Sequence, residues 1–94
     1  MQQDYELMAI ISAESTEAQQ ESFLKKIEEL LVKAGGAVKE TIKMGKKDLA
    51  YAIKKQTQGI YFLWKFSLEK SAVSEFEKKL HNDESILRYI LLTQ

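Results

Sequence analysis

The chain has 94 residues, with 14 basic and 14 acidic side chains, one histidine, and neither cysteine nor proline. That size supports a single domain over residues 1–94 with one core, and leaves no room for a deep pocket between two lobes. Without cysteine there are no disulfides, thiolate metal sites or thiol nucleophiles, and with zero net charge any nucleic-acid site has to come from local clustering.

The start, Met1-Gln2-Gln3-Asp4, lacks the basic opening and apolar core of a signal peptide, and no apolar run approaches the roughly 20 residues that span a bilayer. The protein is therefore expected to remain in the cytoplasm. Tyr5 to Ile11 is nearly continuous in apolar character and reads as a central strand. Thr16 and Gln19 have capping-box spacing, and Phe23, Ile27, Leu30, Leu31 and Ala34 recur along one helical face. Gly35-Gly36 ends that helix, since glycine takes the left-handed position past a C-terminus without penalty.

A strand is expected from Ala37, with Val38, Ile42 and Met44 on one side and Lys39, Thr41 and Lys43 on the other. Continuing it through Leu49, Tyr51 and Ile53 makes it unusually long, so a bulge or bend is expected at Gly45-Lys46-Lys47 and a bent arm should project. Gln56-Thr57-Gln58-Gly59 turns the chain back. Ile60 to Leu68 follows as a strand with Ile60, Phe62, Trp64, Phe66 and Leu68 on one side and Tyr61, Leu63 and Lys65 on the other. Ser71 is expected to cap a second helix that turns Val73, Phe76 and Leu80 inward, and Ile86 to Leu92 is the last strand.

The order strand, helix, strand, strand, helix, strand fits an α+β, ferredoxin-like βαββαβ sandwich: a four-stranded antiparallel sheet with two helices on one face. The other face then stays bare yet apolar. It carries Met8 and Ile10 if Leu7, Ala9 and Ile11 are core, and Leu87, Tyr89 and Leu91 if Ile86, Ile90 and Leu92 are core. Such a face reads as an interaction surface.

Catalytic chemistry finds little support. His81 ends a predicted helix, where it complements the dipole, and has no metal-spaced carboxylates with it. The serines occupy caps and turns, with no nucleophile elbow. Glu28-Glu29 and Glu75/Glu77 sit beside lysines on solvated helix faces. The glycines match neither dinucleotide nor phosphate-loop spacing. A non-enzyme with no metal or cofactor is expected. Trp64 lies within an apolar alternation and reads as core. What remains is the hairpin, with Lys46, Lys47, Lys54 and Lys55 at the ends of its Leu-Ala-Tyr-Ala-Ile run. Tyrosines on the open face or its rim beside these lysines and Arg88 could stack on splayed bases or bond phosphates.

Three segments resemble bacterial small-subunit ribosomal protein six over essentially the full length. They are Tyr5-Glu6, then Gly45-x-x-x-Leu49-Ala50-Tyr51-x-Ile53-x-Lys55 with Gly59-x-Tyr61-x-Leu63, and Ile86-Leu87-Arg88-Tyr89. The resemblance implies a ferredoxin-like structural protein of the small subunit. It implies binding to the central domain of small-subunit rRNA, cooperatively with small-subunit ribosomal protein eighteen. On that basis Lys46, Lys47, Lys54, Lys55 and Arg88 are expected to neutralise phosphates, and Tyr5 and Tyr51 to contact sugar or base. The partner would cover apolar sheet or hairpin surface.

The chain departs from the family pattern in three places. Gln2 and Gln3 stand where family members carry an arginine, so a phosphate contact there does not transfer. Asp48 follows the lysine pair, and lysine lacks the bidentate fork of arginine. Ala52 replaces a common proline. RNA affinity of the protein by itself is expected to be low. Two other readings share the fold. One is a single-stranded RNA binder of the RRM type, for which Ile60 and Lys65 stand where stacking aromatics are wanted. The other is a regulatory or ligand-binding domain that dimerises through the open face.

Overall fold

The computed structural model describes residues 2–53 and 56–93, apart from the side chains at 50, 51, 53 and 56. Six elements follow in the expected order: β1 (Gln2–Ser12), α1 (Glu17–Lys33), β2 (Ala37–Ile53), β3 (Gln56–Glu69), α2 (Lys70–His81) and β4 (Ile86–Thr93). The strands form one antiparallel sheet in the order β2-β3-β1-β4, the ferredoxin-like arrangement. β1 and β3 extend beyond their predicted ends because their outer residues keep pairing, Gln2 with Glu69 at one end and Ser12 with Gly59 at the other.

α1 starts and stops where local chemistry dictates. The Thr16 hydroxyl accepts from the Gln19 backbone N–H at 3.1 Å, and the Gln19 side chain accepts from the Thr16 N–H at 2.9 Å. Two otherwise unsatisfied donors are satisfied reciprocally. At the other end Gly35 takes φ +86°, its N–H donating to Val32 at 3.0 Å while the Gly36 N–H donates to Leu31 at 2.8 Å. This is the double closure of a Schellman ending. Gly36 is also fixed by space, because a Cβ there would lie 2.7 Å from the Ser67 carbonyl oxygen. α2 begins two residues earlier than Ser71 as its cap would dictate. Glu69 is its N-cap, without a side-chain cap bond, and Ser71 falls inside the first turn.

The core lies between the helices and one face of the sheet. Phe23, Ile27 and Leu31 of α1 and Phe76 and Leu80 of α2 pack against Leu7, Ala9 and Ile11 of β1 and Phe62, Trp64, Phe66 and Leu68 of β3. Trp64 is fully buried, its ring 5.8 Å from both Phe23 and Phe62. Its indole N–H has no hydrogen-bond partner among the described residues, so the side chain contributes packing rather than a polar link.

Two irregularities overturn expected side-chain parities. On β2 the register slips at Lys39, so that Val38 stands opposite Phe66 on the core side while Ile42 stands opposite Leu63 on the open side. Thr41 and Lys43 therefore point toward α1, where Thr41 donates to Glu28 at 3.3 Å and Lys43 pairs with Glu21. On β4, Ile11 stands opposite Ile86 but Ile10 stands opposite Arg88, so the strand bulges at Leu87. Ile86, Tyr89 and Leu91 thus share the core side, and Ile90 and Leu92 are exposed. A one-residue slip exchanges faces for all that follows.

β2 slips a second time between Lys43 and Gly45, where Gly45 takes φ +88°. Seventeen residues drawn out straight would run about 53 Å, yet the molecule's longest dimension is 39 Å. The arm is bent, as the glycine and its flanking lysines suggested.

Candidate nucleic-acid interface

The cross-strand register draws three rows over the uncovered face. The middle row is apolar: Ile42, Leu63, Met8 and Ile90, one from each strand in spatial order. On the side away from the hairpin lies Glu40, Lys65, Glu6 and Leu92, and on the hairpin side Gly45, Tyr61, Ile10 and Arg88. Ile90 is 41% and Leu92 56% exposed. An apolar stripe of this kind across a sheet, rimmed by charge, marks an interaction surface.

The two rims differ in how their charges are balanced. Away from the hairpin, Lys39 bonds Asp4 at 2.7 Å and Lys65 lies 3.6 Å from Glu40. At the hairpin, Lys46 and Lys47 are both exposed, and neither has a carboxylate within ion-pair distance among the described residues. Asp48, which follows them, instead accepts from the Gln58 amide at 2.9 Å. The lysines of the arm thus lack, among the described residues, the carboxylate partners that Lys39 and Lys65 have at the other rim.

Lys46 stands opposite Ile60, whose side chain is in the core, and Lys47 stands opposite Gly59. Successive residues of a strand point to opposite faces, so one ammonium projects on the helix side of the arm and the other on the open side. The Lys47 Nζ lies 5.8 Å from the centroid of the Tyr61 ring. Arg88 is exposed on the same face, three strands across from Gly45, or about 14 Å at ordinary strand spacing.

Gly59 seats the arm. A Cβ there would come 2.4 Å from Cγ2 of Ile10 and 3.5 Å from Cδ2 of Leu49. Ile10 and Leu49 therefore close over the glycine from either side, and Ile10 is 6% exposed although it faces away from the helices.

Of the residues singled out from sequence, Lys46, Lys47 and Arg88 lie on exposed surface. Lys54, Lys55 and the Tyr51 side chain lie outside the described residues. Tyr5 is 7% exposed, its ring stacked on Phe66 at 5.7 Å between centroids. A base cannot stack on a ring so enclosed, and Tyr5 shares the core side of β1 with Leu7, Ala9 and Ile11. Tyr61, one of the strand tyrosines expected to stack on a base or bond a phosphate if on the open face, does lie on that face, across from Gly45.

Away from this face, Lys26 of α1 pairs with Asp83 in the α2–β4 turn. Burial pushes that carboxyl up, but hydrogen bonds from Lys26 and from the Ser85 hydroxyl and N–H outweigh it and hold it below the usual carboxylate value. Glu21 is likewise held low by the Lys43 ammonium bonded to it. Burial, with the Glu77 carboxylate nearby, pushes the Tyr89 phenol up. None of these groups lies on the open face, and among the described residues no cluster of acidic and imidazole groups could hold a metal.

A family model described as ribosomal protein S6 matches residues 4–93. The chain belongs to the ribosomal protein S6 family. Small ribosomal subunit protein bS6 of Synechococcus elongatus is 38% identical over 90 residues, covering 96% of this chain and 84% of that one. The bS6 protein of Fusobacterium nucleatum is 36% identical, with 96% of each chain covered. The crystal structure of 30S ribosomal protein S6 from Thermotoga maritima shares the fold, with a TM-score of 0.93 over 100% of this chain and 89% of that chain at 23% identity. In this S6 family member Lys47 and the apolar row share the open sheet face, while Lys46 projects from the helix side of the same arm.

Proposed function

We propose that the chain is a structural, non-catalytic component of the small ribosomal subunit in the cytoplasm. In this reading it binds the central domain of small-subunit rRNA through the β2–β3 arm, cooperatively with small-subunit ribosomal protein eighteen, which covers the apolar row of the open face. The observation that carries the reading is an arm whose Lys46 and Lys47, one on each side of it, have no carboxylate partner among the described residues, next to an apolar row that crosses all four strands of the open face. Lysines supply phosphate neutralisation without sequence readout, and exposed Ile90, with half-buried Met8, Ile42 and Leu63, suits a protein surface.

A gel-shift titration of a central-domain junction fragment tests it, with this chain, with the partner protein, and with both. The expected result is a shift at low protein concentration only when both are present, with an affinity that falls steeply with salt. Equal binding by this chain with or without the partner would contradict the cooperative reading, and no shift in any arm would remove the RNA-binding function. The open face carries a single aromatic among the described residues, Tyr61, where an RRM-type binder stacks two or three bases.

A further inference from the structure

We infer that Tyr61 is the stacking platform for one unpaired base of the bound RNA, and that Lys47 exchanges the Tyr61 ring for the phosphate of that nucleotide. This rests on the RNA-binding reading above and names a residue and a ligand class that the reading does not. Tyr61 is half-buried on the open face, with the side without a side chain turned toward Gly45. That glycine stands directly opposite it at φ +88°, and even an added Cβ would meet no atom within 4 Å. One flank of the ring is therefore open. Over the ring sits the Lys47 ammonium, 5.8 Å from the centroid and with no carboxylate to hold it among the described residues.

An exposed cation–π contact at that separation is weak, whereas a phosphate offers the same ammonium a charge-assisted hydrogen bond. A base has the flat face to replace the ammonium on the ring, and stacking of this kind tolerates any base. The nucleotide would bring both groups at once. Charge complementarity selects the occupant: Lys47 gives this end of the face an ammonium without a carboxylate partner among the described residues, while at the other end Lys39 and Lys65 are held by Asp4 and Glu40.

The test compares Tyr61→Phe and Tyr61→Ile, both of which suit a strand, in full chains with the partner protein and a central-domain RNA fragment. The expected result is that Tyr61→Ile weakens RNA binding about tenfold while Tyr61→Phe stays within about twofold, with partner affinity in the absence of RNA unchanged in both. Unchanged RNA binding by Tyr61→Ile overturns the inference, and so does a loss of partner affinity without RNA, which would make the ring a protein contact.

Photo-crosslinking of the wild-type complex with 5-iodouridine RNA gives a readout independent of variant folding. An adduct on Tyr61 supports the inference, and adducts confined to other residues overturn it. If the wild-type chain and partner bind no RNA, the functional reading fails and this inference with it. If Lys46→Gln/Lys47→Gln lowers the salt dependence while Tyr61→Ile has no effect, the reading stands and only the role of Tyr61 is withdrawn.

Discussion

The two sides of β3 are made from similar material and have different fates. On one, Phe62, Trp64, Phe66 and Leu68 are at most 1% exposed beneath two helices. On the other, Tyr61, Leu63 and Lys65 are half-buried with no element above them. Both sides are apolar enough to be core, and what distinguishes them is that the chain supplies only two helices and both pack on the same side. A sheet face left uncovered by its own chain yet kept apolar is a surface whose burial must come from another molecule.

The sharpest way to break this comparison is to truncate neighbouring residues of one strand. Phe62→Ala is expected to cost about 3–5 kcal/mol in chemical unfolding, through lost transfer energy and a residual cavity. Leu63→Ala is expected to cost under about 1 kcal/mol in the isolated chain, yet to weaken association with the partner protein at least tenfold by calorimetry. Equal losses of stability at both positions would mean that the open face is structurally committed already.

A second comparison separates compensated from uncompensated lysines. Lys46→Gln with Lys47→Gln is expected to reduce the slope of log affinity against log salt by about 1.4–1.8, the value for two phosphate contacts. Lys39→Gln with Lys65→Gln, which removes charges already held by Asp4 and Glu40, should leave that slope nearly unchanged.

Smaller effects probe the helix-covered side. Thr16→Ala removes the reciprocal cap of α1 and is expected to lower stability by about 1 kcal/mol, measured by thermal melting, without changing the salt slope of RNA binding. Asp83 should govern part of the acid response. Its folded-state pKa is depressed, so the stability it contributes is fully present above the ordinary carboxylate value, near pH 4. That contribution is lost as pH falls through the lower native value. Asp83→Asn is expected to flatten the acid limb of the stability–pH curve, and an unchanged limb would show that the Lys26 bond is neutral to folding.

Much of this was legible in the residues. The alternation Ile60 to Leu68 set which residues of β3 share a side, leaving open which side is core, the Thr16/Gln19 spacing marked the start of α1, and Gly45 marked the bend. The exchanged parities of β2 and β4 were not legible. A bulge inserts one residue without a characteristic composition, and neither Lys39 nor Leu87 differs in kind from its neighbours. Ile42 therefore read as sharing a side with Val38, and Ile90 as sharing one with Ile86, whereas both Ile42 and Ile90 lie in the open row. Tyr5, expected from the family likeness to contact sugar or base, lies in the core, because it shares a side of β1 with Leu7, Ala9 and Ile11. Which of the strand tyrosines lies on the open face was not legible, because the setting of Tyr61 depends on a glycine from another strand, a relation that register reveals and sequence spacing does not.

The broken register of β2 also bears on how the chain behaves in isolation. β2 is an edge strand seventeen residues long, and a flat edge of that length is a template on which further chains can add. Broken register near Lys39 and again at Gly45, with Lys39, Lys43, Lys46 and Lys47 along its length, denies a second chain the straight run of backbone groups it would need. The irregularities that obscured the parity of the strand thus guard solubility, so that an apolar open face can await its partner without the sheet growing from its side.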